Sequence, residues 1–189
     1  MDYGYVILLL LGFGLIGAGV KYVDASFDDD AFDRRKAYVV ALASGALMGG
    51  FIGVDAYAAT VLVAIIIGVA ITKKIDAPAF IAGAIVALAV PAAFSNQIVV
   101  YALPVAVLSL SAVIDELGND LVDERRIRNG AATLFFGNRL TMEVFVAALV
   151  FAGVFPFVYL LALLAFDSGY HLLTYYVDSL KRERRRHAR

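Results

Sequence analysis

Long apolar segments separated by short polar breaks make up most of this chain. The pattern predicts seven helical segments, at roughly 4–21, 37–54, 56–72, 77–94, 97–114, 140–155 and 157–177. The breaks contain charged residues, amides, Gly or Pro, at Asp55, at Lys73-Lys74 with Asp76 and Pro78, at Ser95-Asn96-Gln97, and at Gly153 with Pro156. An alternative interpretation joins residues 142–166 into one kinked helix followed by an interfacial helix, which leaves six spans.

These segments have the length and composition of membrane-spanning helices. A helix of about 20 residues crosses the hydrocarbon core, and the segments lack the alternation of barrel strands. The chain is 62% hydrophobic, against about 45–50% in soluble domains, and its mean hydropathy is +0.83. The predicted fold class is therefore an all-α, polytopic membrane bundle of about seven helices. The absence of cysteine excludes disulfides and thiolate metal sites.

The basic residues predict how these helices are oriented. With the N-terminus outside, all sixteen Lys and Arg fall on one side of the membrane, at 21, 34–36, 73–74, 125–128 and 139, and from Lys181 to Arg189. Cytoplasmic loops are enriched in Lys and Arg, so we expect an integral cell-membrane protein with its C-terminus inside. Six spans would place the C-terminal KRERRRHAR outside, so seven are preferred. This tail suits anionic lipid headgroups better than nucleic acid.

A thirteen-residue polar pattern occurs twice, each time after an apolar segment. Val23 to Arg35 reads VDASFDDDAFDRR and Ile114 to Arg126 reads IDELGNDLVDERR, and the second copy begins 91 positions after the first. The offset predicts a parallel duplication in one membrane domain, with repeats at about 4–94 and 97–177 and a basic cytoplasmic tail at 178–189. Parallel repeats usually place a shared site at the interface between the two halves.

Each copy of the pattern joins acidic side chains to arginines, a combination that suits a metal ion and a phosphate group. Mg²⁺ binds hard oxygen ligands, using one or two carboxylates and completing its shell with water and phosphate. The metal-ligand candidates are Asp24, Asp28, Asp29, Asn119, Asp120 and Asp123, and the phosphate-binding candidates are Arg34, Arg35, Arg126 and Arg128. The alternative is a solvated collar of intrahelical ion pairs at the membrane edge.

Helical spacing predicts which acidic residues share a face. If each helix continues beyond the membrane, residues four apart lie on one side of it. This would pair Asp24 with Asp28 and Asp29 with Asp33 in the first copy. In the second copy the stripes are Asp115, Asn119 and Asp123, and beside them Glu116, Asp120 and Glu124. Like charges so spaced destabilise a bare helix, so a compensating cation is expected.

The second copy extends into a longer pattern that resembles a known family. Asp115 to Arg139 reads DELGNDLVDERRIRNGAATLFFGNR and is similar to the second Asp-rich segment of the UbiA superfamily of intramembrane prenyltransferases. The likeness includes the turn Gly130-Ala131-Ala132-Thr133-Leu134, the later Gly137, and Asn119-Asp120-x-x-Asp123, which resembles the N-D-x-x-D core of the family's first motif. Asp24, Asp28, Asp29 and Asp33 would then stand where the family carries its other Asp-rich segment.

This resemblance implies two four-helix halves around a central cavity, with both Asp-rich segments at its cytoplasmic mouth. Mg²⁺ and the diphosphate of a polyprenyl donor would bind there, and the prenyl group would pass to an aromatic or other lipophilic acceptor. Asp28, Asp29, Asp120 and Asp123 would carry the catalysis. Two other hypotheses stay open: a non-catalytic ion or lipid carrier that keeps the scaffold, and phosphoryl transfer on a lipid. An oligomer is compatible with each.

Polar residues inside the apolar segments suggest further roles. Asp167 and His171 lie four positions apart in the seventh segment. They could form a proton relay, a hydrogen-bonded pair that faces a cavity, or a solvated pair near the cytoplasmic end. Asp55 is expected in an outer turn, and Glu143 at a helix N-terminus, where its charge suits the helix dipole. The spacing Gly45-x-x-x-Gly49 predicts close helix packing rather than a phosphate loop.

Overall fold

The structure, a computed structural model, describes residues 2–74, 77–94 and 98–187. These residues form eight α-helices and no strand, which confirms the all-helical class predicted from the sequence. The helices are α1 (Tyr3–Phe27), α2 (Arg34–Val54), α3 (Ala56–Ile71), α4 (Pro78–Phe94), α5 (Ala102–Asp123), α6 (Gly130–Gly137), α7 (Thr141–Phe151) and α8 (Val158–His187). The breaks predicted at Asp76 and at Ser95-Asn96-Gln97 lie outside the described residues.

Seven of these helices overlap the predicted segments, and α6 is an addition. It is bent by 79° against α7. The turn after α7 contains Gly153 with a φ of 72°, so residues 142–166 do not form one helix. Among the described residues, α1 and α2 are long and apolar enough to cross a membrane, and α6 with α7 makes a third such span if the two are one broken helix. The chain is thus compatible with insertion in a membrane.

Side-chain oxygens cap the N-termini of three helices. Asp33 accepts hydrogen bonds from two backbone N–H groups in the first turn of α2. Asp55 does the same for α3, and Asn129 does it for α6. These N–H groups have no partner within their own helix, so each cap stabilises the point at which its helix begins.

The two copies of the polar pattern differ in how much helix they contain. α5 runs through the second copy to Asp123, so the face predicted there for Asp115, Asn119 and Asp123 is present. α1 ends at Phe27, and the chain turns through Asp30, which has a φ of 46°, before α2 begins. The predicted pairing of Asp29 with Asp33 on one helix face is therefore wrong.

Six helices pack side by side in a closed ring. The order of contacting neighbours is α1, α2, α3, α5, α7, α8 and back to α1. α4 packs mainly against α2 and touches α1. The first and last helices of the described chain thus close the ring, and the space that the ring surrounds is available for a cavity.

Glycines let two pairs of these helices approach closely. A Cβ built on Gly17 of α1 would lie 2.0 Å from the carbonyl oxygen of Phe166 in α8. A Cβ on Gly45 of α2 would lie 2.3 Å from the carbonyl oxygen of Gly83 in α4. A larger residue cannot occupy either position without moving a backbone. The packing role predicted for the spacing Gly45-x-x-x-Gly49 is confirmed at Gly45.

Tyrosines hold together the end of the bundle near Asp55. Tyr5 of α1 and Tyr159 of α8 both donate hydrogen bonds to Asp55 Oδ2, at 2.5 and 2.6 Å. Asp55 lies in the turn between α2 and α3, which agrees with the predicted turn. Roughly 28 Å of helix separates Tyr5 from Asp24 on α1. The acidic residues at the end of α1 therefore lie at the opposite end of the bundle.

Candidate binding cavity

A cavity of about 660 Å³ lies between the helices and is lined mainly by residues of α1 to α5, α7 and α8. Its volume is within the range of small-molecule sites, roughly 300–1,000 Å³. Toward the Asp55 end it is lined by apolar side chains, among them Met48, Ile65 and Phe166. Toward the opposite end its lining is charged, so the cavity has an apolar interior and a polar mouth.

Both copies of the polar pattern contribute side chains to this one mouth. Asp24 and Asp28 line the cavity from the end of α1, and Asn119, Asp120 and Asp123 line it from the end of α5. Five of the six predicted metal-ligand residues are thus brought to a common space. Asn119 Nδ2 donates to Asp123 Oδ2 at 3.2 Å, which orients the two side chains.

The sixth candidate, Asp29, is not among the described residues that line the cavity. Its carboxylate forms an ion pair with Lys181 of α8 at 2.8 Å. Arg184, one turn further along α8, donates to the carbonyl oxygens of Asp30 and Ala31. The basic end of α8 therefore fastens the turn between α1 and α2, and this turn positions Asp28 at the mouth.

The predicted phosphate-binding arginines lie on the outer surface. Arg34 pairs with Asp30 and Arg126 pairs with Glu124, each at 2.8 Å. Arg35 and Arg128 are exposed. None of these four arginines is among the described residues that line the cavity. Both ion pairs join residues that are close in sequence, across turns rather than within one helix.

Two cations that do line the cavity converge on Tyr170 of α8. Lys21 forms an ion pair with Asp24, and its Nζ lies 5.3 Å from the centre of the Tyr170 ring. The guanidinium of Arg139 lies 5.5 Å from the same ring and donates to Glu116 Oε2 at 3.3 Å. Cations near an aromatic face are held there by its quadrupole. Positive charge is thus available at the edge of the acidic mouth.

Lys74 provides a third cation, in the connection between α3 and α4. Its Nζ contacts Asp120 Oδ1 at 2.6 Å, and each side chain is 42% exposed. The hydrogen bond to Asp120 raises the pKa of Lys74, which therefore stays charged at neutral pH. This pair places a positive group directly beside one of the predicted metal ligands.

Asp115 lines the cavity, yet its oxygens already have partners. They accept hydrogen bonds from the backbone N–H groups of Thr141 and Met142 at 2.8 and 2.9 Å. The side chain is only 3% exposed. Asp115 thus stabilises the first turn of α7 and ties this turn to α5, which makes it a structural residue of the cavity wall.

The carboxylates at the mouth that the structure describes do not form a complete metal site. Within the described ranges, no group of three or more His, Asp or Glu side chains could hold a metal ion by itself. Asp24 and Asp120 each have a lysine partner. Mg²⁺ commonly takes one or two carboxylates and fills its shell with water and substrate phosphate. A Mg²⁺ ion at this mouth would therefore need water or phosphate to complete its shell.

Glu143 and Asp167 form a second polar group in the cavity wall. The Glu143 and Asp167 carboxyl groups lie beside each other and interact, and Glu143 lies in the first turn of α7, as predicted. His171 also lines the cavity, one turn after Asp167 on α8. The sequence suggested the pair Asp167 and His171, and the structure adds Glu143 as a further partner of Asp167.

The sequence alone predicted no binding role for Lys21, Lys74 or Arg139. Lys21 lies three positions before Asp24 on one helix, so the (i, i+3) spacing contained a signal for that pair. Lys74 and Arg139 meet acidic residues of another element, and no local spacing indicates such a contact.

Comparison with family models, with curated proteins and with solved structures finds no match to this chain. The resemblance to the UbiA superfamily therefore rests on the residues quoted from the sequence.

Proposed function

We propose that this protein is a membrane-embedded, Mg²⁺-dependent prenyltransferase of the UbiA type, acting on a polyprenyl diphosphate and a lipophilic acceptor. The observation that supports it is the meeting of both Asp-rich segments at the mouth of one cavity. The same proposal includes seven membrane spans in two parallel repeats, an outer N-terminus, and a cavity mouth that opens to the cytoplasm.

The cavity suits a substrate with a charged head and an apolar tail. The diphosphate would lie at the mouth, between the carboxylates and Lys21, Lys74 and Arg139. The isoprenoid tail would extend past Phe166 toward Met48. In the transfer, the allylic C–O bond of the donor breaks, diphosphate leaves, the allylic carbon bonds to the acceptor and the acceptor loses a proton. The apolar wall would keep water away from the reacting carbon.

The residues at the mouth divide into metal-binding and phosphate-binding groups. Asp24, Asp28, Asp120 and Asp123 would supply carboxylates to Mg²⁺, which when bound neutralises charge that develops on the departing diphosphate. The lysines and Arg139 would contact the phosphate oxygens directly. The exposed Arg34, Arg35, Arg126 and Arg128 would attract the anionic substrate from solution.

Substrate binding tests the proposal without knowledge of the acceptor. We expect farnesyl diphosphate with Mg²⁺ to raise the thermal unfolding temperature of the purified protein, and farnesyl monophosphate to raise it much less. The double variant Asp28→Asn with Asp120→Asn should lose this effect while staying folded. The double variant Asp30→Asn with Glu124→Gln is the matched control, because it makes the same charge change at exposed residues outside the cavity lining. Equal stabilisation of both variants would contradict the proposal.

A non-catalytic carrier is the second candidate, and the ion pairs at the mouth favour it. Lys21 and Lys74 already neutralise Asp24 and Asp120 without a metal ion. A carrier would move an ion or a lipid across liposomes that contain the purified protein, and its flux would depend on Asp167 or His171. A transferase would show no such flux.

A further inference from the structure

Two buried carboxyl groups face each other in the wall of the cavity. Glu143 on α7 is 8% exposed, and its carboxyl group lies beside the carboxyl group of Asp167 on α8. Both residues line the cavity. Neither is among the Asp-rich segments, and the proposed transfer reaction assigns no role to either.

If both carboxyl groups are ionised, one oxygen of each group has no hydrogen-bond donor in the part of the chain that the structure describes. Glu143 Oε2 and Asp167 Oδ2 are buried, and no N–H or O–H group of the described residues donates to them. Two buried carboxylates in contact repel each other, and each loses hydration without compensation. A single proton between them removes the repulsion and supplies the missing donor.

The charged neighbours do not remove the need for that proton. Asp115 of α5 adds negative charge nearby. Arg139, which precedes α7, is engaged by Glu116, and Lys21 of α1 is engaged by Asp24. On α8 itself, Tyr170 faces these two cations and His171 lies one turn beyond Asp167. Arg139 and His171 attract Asp167 electrostatically, but neither donates a hydrogen bond to its Oδ2.

The ligand of this site is a proton rather than a metal ion. No third His, Asp or Glu of the described residues completes a metal site around the pair. Glu143 is more than nine-tenths buried, and its Oε2 has no donor. A proton needs only the two facing oxygens.

We propose that Glu143 and Asp167 form a proton-binding site in the cavity wall, in which the two carboxyls share one proton at neutral pH and exchange it with water in the cavity. The site is independent of the transfer reaction, so either proposal can fail without the other. The pair would bind and release one proton reversibly within the helical bundle.

Chemical modification of the wild-type protein is the first test. Dicyclohexylcarbodiimide is lipid-soluble and modifies protonated carboxyl groups in preference to ionised ones. Mass spectrometry should find its adduct on Glu143 or Asp167 at neutral pH, and the yield should fall as the pH rises. The exposed Asp30 and Glu124 serve as internal controls and should stay unmodified at neutral pH.

Infrared spectroscopy provides a second test that needs no reagent. The wild-type protein should show the C=O band of a protonated carboxyl at neutral pH, and the band should shift after exchange into D₂O. Glu143→Gln, a replacement of nearly equal size, should remove the band, whereas the exposed control Glu124→Gln should keep it. A wild-type spectrum without this band at neutral pH, or a band that persists in both Glu143→Gln and Asp167→Asn, would overturn the proposal.

Discussion

Tyr159 donates a hydrogen bond to Asp55 Oδ2 at 2.6 Å, although the two residues lie 104 positions apart. Tyr5 donates to the same oxygen, and the other carboxylate oxygen caps α3. One carboxylate therefore connects α1, α3 and α8 at the end of the bundle opposite the mouth of the cavity. Hydrogen bonds to a charged group are stronger than those between neutral groups.

Removal of one tyrosine hydroxyl should weaken this connection. We expect Tyr159→Phe to lower the free energy of unfolding by about 1.5–3 kcal/mol, since it removes a hydrogen bond to a charged group. Denaturant unfolding in detergent micelles measures the change. Tyr175→Phe is the control, because Tyr175 is 73% exposed. The same stability for both variants would show that the Asp55 connection contributes little.

Because α1 and α8 are in close contact, we expect the addition of one methyl group between them to lower stability. Gly17→Ala would place its Cβ 2.0 Å from the Phe166 carbonyl oxygen, so the two helices must separate. We expect a loss of about 1–3 kcal/mol, the usual effect of overpacking. Gly50→Ala, in α2, meets no atom within 4 Å and should leave stability unchanged or slightly raised. The two variants are compared by their unfolding midpoints, and a Gly17→Ala midpoint no lower than that of Gly50→Ala would refute the contact.

The apolar pattern was sufficient to predict seven of the eight helices that the described residues form, because long apolar segments mark helices that can be buried. The eighth, α6, has only eight residues, so no long apolar segment marks it. Its signal was local, since Asn129 caps it and the Gly130 to Gly137 stretch follows. The (i, i+4) spacing of the acidic residues did not indicate that α1 ends at Phe27. Asp33 caps a new helix, α2, instead of continuing α1.

The repeated polar pattern led us to expect Asp28 and Asp120 at a shared site, and both residues line one cavity. Partners from different helices are a different matter. Glu143 meets Asp167, and Lys74 meets Asp120, only because α7 lies beside α8 and the α3–α4 connection lies beside α5. These contacts depend on which helices are neighbours, and the spacing of residues along the chain does not indicate this.

The cap at Asp33 predicts a stability change in acid. The pKa of Asp33 lies below its usual range because the backbone N–H groups of Lys36 and Arg35 donate to its carboxylate. A carboxyl with a lowered folded pKa contributes stability above its unfolded pKa, about 3.9, and loses it as the pH falls through the folded value. The midpoint difference between wild type and Asp33→Asn should therefore be largest near neutral pH and shrink in acid.

The Asp33→Asn variant keeps a side-chain oxygen for the cap but does not ionise there, so it isolates the contribution of the charge. Asp33→Ala removes the cap itself and should lower the unfolding midpoint at every pH above the folded pKa. A midpoint difference between wild type and Asp33→Asn that does not vary with pH would show that the carboxylate charge plays no part in the cap.

Two adjacent lysines distinguish binding inside the cavity from attraction by the charged surface. Lys74 lines the cavity beside Asp120, whereas Lys73 is exposed and outside the lining. Under the proposed function, Lys74→Gln should weaken the Mg²⁺-dependent binding of farnesyl diphosphate about tenfold, which corresponds to about 1.4 kcal/mol. Lys73→Gln makes the same charge change and should alter the affinity much less. Calorimetric titration gives both values. Equal weakening by both variants would show that the basic surface as a whole attracts the diphosphate. If Lys74→Gln does not weaken binding, Lys74 does not contact the phosphate, because the loss of a cation in contact with phosphate lowers the affinity.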